Sequence, residues 1–134
     1  MREILFRGQR QYNGEWVYGV PICLGKEAYI VRDFCLGEGY SDYWVETETI
    51  GQFTGLTDKN GKKIFEGDIV TGRFLHSLPI NSVIAFRNGA FGLLWARAGA
   101  KTFDAFTSLC NIEYEVIGNI HDNPGLLEVE ACRM

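Results

Sequence analysis

Histidines and carboxylates bear most directly on catalysis in this sequence, and few of them have a suitable spacing. A nucleophilic enzyme needs a base, usually histidine, between a nucleophile and an orienting carboxylate, and the chain has two histidines, His76 and His121. Ser77 follows His76, but adjacent residues rarely converge on one substrate, so we interpret His76 as a loop residue. His121 precedes Asp122, which in principle orients its imidazole. This pair keeps open an enzyme of unknown type as one alternative.

The residues around His121 also have a structural interpretation. Asn119, Asp122 and Asn123 are of the types that bond to nearby backbone groups in turns. The dipeptide Asn123-Pro124 is typical of a helix start, with asparagine as the N-cap and proline in the first helical position. We favour this interpretation and predict a short C-terminal helix.

Glu66 and Asp68 are the other candidate for acid–base or metal chemistry. Residues two apart face the same side of a regular strand, where paired carboxylates bind a metal ion or act as acid and base. Gly67 interrupts that regularity, and no histidine or further acid lies at ligand spacing. Gly67-Asp68 is typical of a strand start in a small barrel, where aspartate bonds back to nearby amides. We therefore predict no metal ion, no cofactor and no catalytic residue, and favour a protein without enzymatic activity.

The charge balance argues against a dedicated nucleic-acid-binding protein. The formal net charge is -4, whereas neutralising phosphates requires a concentrated Lys/Arg surface. The densest basic group is Lys59, Lys62 and Lys63, which lies beside Asp58 and which we interpret as a solvated turn. Nucleic-acid binding through these lysines stays an alternative, and salt-sensitive binding that weakens on their replacement would favour it.

Aromatic residues offer a better functional indication than ionisable ones. They concentrate in the first 44 residues, as Trp16, Tyr18, Tyr29, Phe34, Tyr40, Tyr43 and Trp44. Such a surface stacks bases in single-strand-binding proteins or anchors a protein interface. Because few basic residues are interleaved, we favour a protein interface, with Trp16, Tyr18 and Trp44 as candidate binding residues. Packing in the core is the competing interpretation.

Turn signals predict a mainly β protein built of antiparallel hairpins. Three Asn-Gly dipeptides, Asn13-Gly14, Asn60-Gly61 and Asn88-Gly89, separate runs of aromatic and β-branched residues. A two-residue type I′ turn needs positive φ at both central positions, which asparagine tolerates and glycine adopts freely. Each dipeptide therefore predicts a hairpin.

The predicted organisation is an N-terminal β-rich arm over residues 1–55, followed by a small SH3-like barrel over residues 56–134. In the arm, residues 3–7 pair with residues 15–19, Pro21 limits the second strand to an edge or an ending, and residues 37–42 form a loop. The five predicted barrel strands cover residues 68–74, 82–86, 91–95, 101–106 and 114–120. One continuous compact unit is the alternative, because the sequence does not show whether the halves share a core.

Length and composition are those of an ordinary globular chain. A chain of 134 residues buries a core without metals or disulfides. Neither a signal peptide nor a membrane-spanning segment is predicted, which favours a cytoplasmic location. We expect the four cysteines to be buried reduced thiols, namely Cys23, Cys35, Cys110 and Cys132.

Three blocks of sequence, in one order, resemble the YopX-like family of phage and prophage proteins. They are MREILFR at residues 1–7, TIGQFTGLTDKNGKKIFEGDIV at residues 49–70, and EVIGNIHDNP at residues 115–124. The resemblance spans nearly the full chain. We assign structural roles to the motif residues Gly51, Gly55, Asn60, Gly61, Gly67, Asp68, Gly118, Asn119 and Pro124.

The resemblance implies a protein of bacteriophages or integrated prophages that acts in the cytoplasm of the bacterial host. It implies no biochemical activity and no catalytic residues, and it suggests self-association. The stretches outside the matching blocks, residues 20–42 and 74–81, are where we expect binding to a partner, since connecting loops commonly carry binding.

Overall fold

The computed structural model describes residues 3–35, 39–72, 80–97, 100–105 and 114–127. The chain divides into two compact units, Met1–Gly55 and Leu56–Met134. Both consist mainly of antiparallel strands, which confirms the mainly β class. Within the described ranges no helix has the length and apolar character needed to cross a membrane.

Six strands form the first sheet, in the order β4-β3-β2-β1-β5-β6. Their bounds are β1 Phe6–Gln9, β2 Trp16–Leu24, β3 Glu27–Cys35, β4 Gly39–Val45, β5 Gly51–Thr57 and β6 Lys63–Phe65, with a 3₁₀ helix at Thr47–Thr49 between β4 and β5. Five strands form the second sheet, in the order β10-β9-β8-β7-β11. Their bounds are β7 Asp68–Gly72, β8 Ile80–Arg87, β9 Ala90–Arg97, β10 Ala100–Ala105 and β11 Tyr114–Asn119.

The core of the first unit lies on one face of its sheet. Four side chains form its buried cluster, Val17, Ala28, Ile30 and Val45. Strand register explains the cluster, because Ala28 lies opposite Val45 in the β3–β4 ladder and directly opposed residues share a face. Gly8 lies close to the cluster, and a Cβ at this position would stand 3.1 Å from Val45.

Strand β2 runs farther than the sequence predicts. Pro21 lies inside it, paired with Ile30 of β3, so of the two predicted alternatives, an edge or an ending, the strand does not end there. β1 pairs with residues 16–19 of β2 and β3 pairs with residues 20–24. Pro21 therefore lies where β2 has one pairing neighbour, and such an edge-like position tolerates a residue without a backbone N–H. The loop predicted over residues 37–42 is wrong at its end, since β4 begins at Gly39.

All three Asn-Gly dipeptides lie between consecutive antiparallel strands, but only one is a type I′ turn. Asn88 and Gly89 both have positive φ, 53° and 82°, and Arg87 pairs directly with Ala90 across the two-residue loop. In the β1–β2 and β5–β6 connections only the glycine, Gly14 or Gly61, has positive φ. These loops are longer, and longer hairpin loops place one left-handed residue after a type I turn.

The second unit has its own core. Its buried cluster consists of Ile64 on β6 and of three residues on the five-stranded sheet, Val70, Ile84 and Leu93. Among the described residues the sheet is open and no closed barrel is found, so the SH3-like closure stays a prediction. A helical turn at 125–127 follows β11.

Candidate functional site

One face of the first sheet carries large apolar side chains in contact with solvent. Alternate residues of β2, namely Tyr18, Val20, Ile22 and Leu24, lie on the same side of the strand because side chains alternate with period two. Ile22 lies opposite Tyr29, and Tyr29 lies opposite Trp44 of β4. We call the five exposed members of this set the apolar face, namely Tyr18, Val20, Ile22, Leu24 and Trp44.

The apolar face is exposed although its residues are of core type. The exposed fractions of its side chains range from 43% for Tyr18 and Ile22 to 64% for Leu24. The buried cluster of the unit lies on the opposite face, so the core does not need these side chains. Contiguous exposed apolar patches on a globular protein mark interaction surfaces more often than scattered ones do.

The structure brings the three predicted aromatic residues onto this side of the sheet. Trp16 lies two residues before Tyr18 on β2, and Trp44 reaches the same face through the ladder across β3. Trp16 is only partly exposed, and the guanidinium carbon of Arg7 lies 4.4 Å from its ring centroid. A cation over an indole ring is attracted to it, so Arg7 holds the Trp16 ring in place at the border of the apolar face.

Sequence analysis placed Val20, Ile22 and Leu24 in a stretch expected to bind a partner but did not single them out as surface residues. They alternate with Gly19, Pro21 and Cys23, so on one continuous strand they share a face. Ending the predicted strand at residue 19 hid that shared face. Cys23 belongs to the same segment and is exposed, so its predicted burial is wrong, while Cys110 and Cys132 lie outside the described residues.

Lys59 and Lys62 lie on a turn in the second unit that Asp58 organises, and Lys63 begins β6. Asp58 Oδ1 accepts hydrogen bonds from the backbone N–H groups of Asn60 and Lys62, each at 2.9 Å. Its Oδ2 accepts the N–H of Val116 on β11 at 3.0 Å. Burial, the largest single influence, acts to raise the pKa of Asp58, but these bonds and the Lys62 charge together hold the pKa below its usual value.

This turn is a weak candidate for binding phosphates. The Lys59 Nζ lies 3.8 Å from a carboxylate oxygen of Glu115, and the Asn60 amide donates to the other Glu115 oxygen at 3.5 Å. A nucleic acid would have to compete with that carboxylate for Lys59. Lys62 and Lys63 are exposed, which fits the solvated turn predicted from the sequence.

The residues around His121 are held together by backbone-directed hydrogen bonds. Asn119 Oδ1 accepts from the backbone N–H groups of His121 and Asp122, at 3.0 Å and 2.9 Å. The Asn119 amide donates to Asp122 Oδ2 at 3.1 Å, and Asn123 Oδ1 accepts the N–H of Asn119 at 3.3 Å. These side chains shape the turn before the helix at 125–127. The other histidine, His76, lies outside the described residues.

The carboxylates of Glu66 and Asp68 have different environments. Asp68 is 2% exposed, and its Oδ2 accepts the backbone N–H of Phe65 at 2.8 Å. Gly67 between them has a φ of 92°, which turns the chain into β7. Within the described ranges no three His, Cys, Asp or Glu side chains are grouped to hold a metal ion.

A polar cluster at the core of the second unit was not anticipated from the sequence. The Trp95 indole N–H donates to Asp104 Oδ2 at 2.7 Å, and the half-buried Tyr114 packs against the same core cluster. Burial, helped by the negative charge of Asp104, raises the pKa of the Tyr114 phenol to about 12. The phenol therefore stays neutral at physiological pH.

Arginines stack on aromatic rings in the first unit, which the sequence analysis did not predict. The guanidinium carbon of Arg10 lies 4.7 Å from the Tyr43 ring centroid and 5.9 Å from that of Tyr12. The guanidinium carbon of Arg32 lies 5.8 Å from the Tyr43 centroid. The two contacts with Tyr43 join residues that are distant in the sequence, so spacing gives no signal for them.

Comparison with known proteins identifies a family and a solved structure that match nearly the whole chain. The model of a family described as YopX protein matches residues 5–128. A crystal structure of protein EF1440 from Enterococcus faecalis is similar in fold, with a TM-score of 0.57 and 26% sequence identity, and the match covers 95% of this chain and 99% of that one. No functionally curated protein matches the chain.

Proposed function

The chain belongs to the YopX protein family, and we propose that it is a non-enzymatic protein that binds another protein through the apolar face. The observation that carries the proposal is the exposure of five large apolar side chains on one sheet face. Contact between such a patch and water is unfavourable in free energy, and a protein partner that covered the patch would remove that cost. Tyrosine and tryptophan, both present here, are enriched in the centres of protein interfaces.

The described chemistry supports binding more than catalysis. Asp68 and Asp122 are two of the residues that the sequence made candidates for chemistry, and each accepts a hydrogen bond within a turn. A catalytic group needs to reach a substrate, whereas these two carboxylates are engaged with neighbouring groups of the chain.

We further propose that the protein acts in a bacterial cytoplasm as an accessory protein of a phage or prophage. The family resemblance supports this setting, and the solved relative comes from a bacterium. The SH3-like closure of the second unit is proposed because its sheet has the five short strands expected of such a barrel. A protein of this kind acts by engaging a host or phage protein rather than by transforming a substrate.

Site-specific cross-linking tests the partner and the surface together. A photoreactive amino acid placed at Val20 on the apolar face, or at Phe86 in the second unit, is irradiated in bacterial lysate with and without nuclease. Both positions are exposed, so Phe86 is the matched control. We expect a nuclease-resistant protein adduct from position 20 that position 86 does not give.

Substitutions then test whether the face itself makes the contact. Ile22→Ser and Trp44→Ser are expected to abolish that adduct, whereas Phe86→Ser leaves it unchanged. Because these side chains are about half exposed, each substitution is expected to lower the free energy of unfolding by about 1–2 kcal/mol, and circular dichroism establishes that each variant is folded. An adduct removed by nuclease would favour nucleic-acid binding instead, and an adduct with the chain itself would make a second copy the partner. Identical adducts from both positions would overturn the proposal.

A further inference from the structure

The geometry points to a carboxylate-binding site at Arg10 and Arg32, on the two guanidinium groups that share the Tyr43 ring. This site is independent of the apolar face, because Tyr43 packs on the core side of the sheet and Trp44 lies on the other. It requires neither a metal nor a cofactor. The ligand class is a carboxylate, supplied either by an acidic protein side chain or by a small di- or tricarboxylic acid.

Backbone pairing places the first arginine. Arg10 forms an isolated antiparallel bridge with Val45. Two backbone hydrogen bonds flank the bridge: the Gln11 N–H donates to the Trp44 carbonyl at 3.1 Å, and the Glu46 N–H donates to the Gln9 carbonyl at 2.9 Å. These bonds join the end of β1 to the end of β4. Arg10 is therefore held beside β4 by backbone, and its side chain reaches Tyr43 at 4.7 Å.

Strand register places the second arginine. In the β3–β4 ladder Ile30 lies opposite Tyr43, and Arg32 lies opposite Ser41. Arg32 is thus the diagonal neighbour of Tyr43 on the same face, a separation that long side chains span. Both guanidinium carbons lie within 6 Å of one ring centroid, so β3 and the residue that follows β1 each bring a cation to the same ring.

The two guanidinium groups keep donor capacity while they stack. Arginine has five N–H donors in its plane, and stacking on a ring leaves that plane available for a bidentate carboxylate. Among the described side chains, the one carboxylate near either arginine is Glu15, whose oxygen lies 3.9 Å from Arg10 and whose side chain is 71% exposed. That pair is beyond hydrogen-bond distance, and exposed pairs of this kind contribute little. A stronger acceptor would displace it.

A carboxylate fits this site better than a nucleic acid does. Five basic and eight acidic residues in the unit Met1–Gly55 give it a formal charge of -3. That charge repels an extended polyanion over many ångströms, whereas a single carboxylate in contact with two guanidiniums is bound within a Debye length of about 8 Å. The local positive charge therefore selects a small or isolated anion.

Nuclear magnetic resonance of the arginine side chains tests the site. The intact protein is titrated with the peptide acetyl-Glu-Gly-Glu-amide, with citrate, with the acetyl-Gln-Gly-Gln-amide peptide and with a single-stranded oligonucleotide, following the Nε–Hε signals. We expect saturable shifts at Arg10 and Arg32 with the carboxylates and none with the glutamine peptide. The glutamate peptide binding more tightly than citrate identifies a protein side chain as the source, and the reverse order identifies a small acid.

Variants give the decisive comparison. Arg10→Gln and Arg32→Gln are each expected to weaken carboxylate binding about three- to tenfold, in line with the loss of one partly exposed charge contact. Arg87→Gln makes the same charge change at an exposed site of the other unit and should leave binding unchanged. Backbone spectra establish that each variant is folded. The proposal would be overturned if Arg87→Gln weakened binding equally, if the shifts did not saturate, or if only the oligonucleotide bound. None of these outcomes depends on the apolar face.

Discussion

Replacing Asp58 is expected to destabilise the second unit, because one carboxylate holds three backbone N–H groups there. Two of these, on Asn60 and Lys62, close the turn between β5 and β6. The third, on Val116, connects that turn to β11. Asp58 is 7% exposed, so in Asp58→Ala these donors lose a partner in a largely buried place.

The magnitude follows from the number and type of bonds. A hydrogen bond to a charged group contributes about 1.5–3 kcal/mol, and a donor left without a partner has a cost of about 1–3 kcal/mol. Water reaches part of a turn and replaces some of the lost bonds. We therefore expect Asp58→Ala to lower the free energy of unfolding by about 2–4 kcal/mol and Asp58→Asn by about 1–3 kcal/mol, since the amide keeps one acceptor oxygen.

The pH dependence of this stabilisation has a definite sign. The folded pKa of Asp58 lies below the reference value of 3.8, so the unfolded chain takes up the proton first as the pH falls. The contribution is fully present above about 3.8 and is lost as the pH falls through the folded pKa. The difference in unfolding free energy between wild type and Asp58→Asn should therefore shrink on acidification below pH 4.

Urea unfolding followed by tryptophan fluorescence measures both effects. Trp16→Phe and Trp44→Phe leave Trp95 as the single tryptophan, which reports the second unit. Glu115→Gln is the matched control, because Glu115 is an exposed carboxylate in the same region and its ion pair with Lys59 contributes under about 1 kcal/mol. If Asp58→Ala is no more destabilising than Glu115→Gln at pH 7, the bonding described here does not stabilise the turn.

Two further predictions concern a close packing contact and a buried phenol. Gly19→Ala should destabilise the first unit by about 2–3 kcal/mol through overpacking, because a Cβ there would stand 2.1 Å from the Val31 carbonyl oxygen. At Gly14 nothing lies within 4 Å of such a Cβ, so Gly14→Ala should destabilise the unit by only about 1 kcal/mol, the cost of its positive φ. Equal losses of stability in thermal unfolding of the two variants would contradict the steric argument. The difference between the 295 nm absorbance titrations of wild type and Tyr114→Phe should have its midpoint near pH 12. Asp104→Asn should lower that midpoint. Since the folded pKa is raised above 10.0, the stability that this phenol contributes is lost as pH rises from about 10 to 12, and a midpoint near 10 would show that the phenol is solvated.

Sequence reasoning succeeded where local chemistry sets the structure. Asn88-Gly89 forms its two-residue turn because asparagine and glycine accept positive φ without help from distant residues. The five predicted strands of the second unit overlap β7 to β11, since alternating apolar residues between turn signals report strands directly. Turn type in the β1–β2 loop was not predictable in this way, because loop length depends on which residues pair across the hairpin.

The candidate site depended on tertiary structure more than the turns and strands did. The sequence identified Trp16, Tyr18 and Trp44 as aromatic residues of a β-rich arm, and it also offered the core as a place for them. Only the pairing of Trp44 through Tyr29 to Ile22 shows that they share a face with exposed apolar neighbours.

By itself, the sequence determined the mainly β class, the turns and the family, because these follow from short-range residue preferences and from the order of the matching blocks. Which sheet face is buried, and which arginines meet at Tyr43, was decided only when strands distant in the chain were brought into register. Side chains alternate along a strand, and the partner strand determines which alternate set is covered.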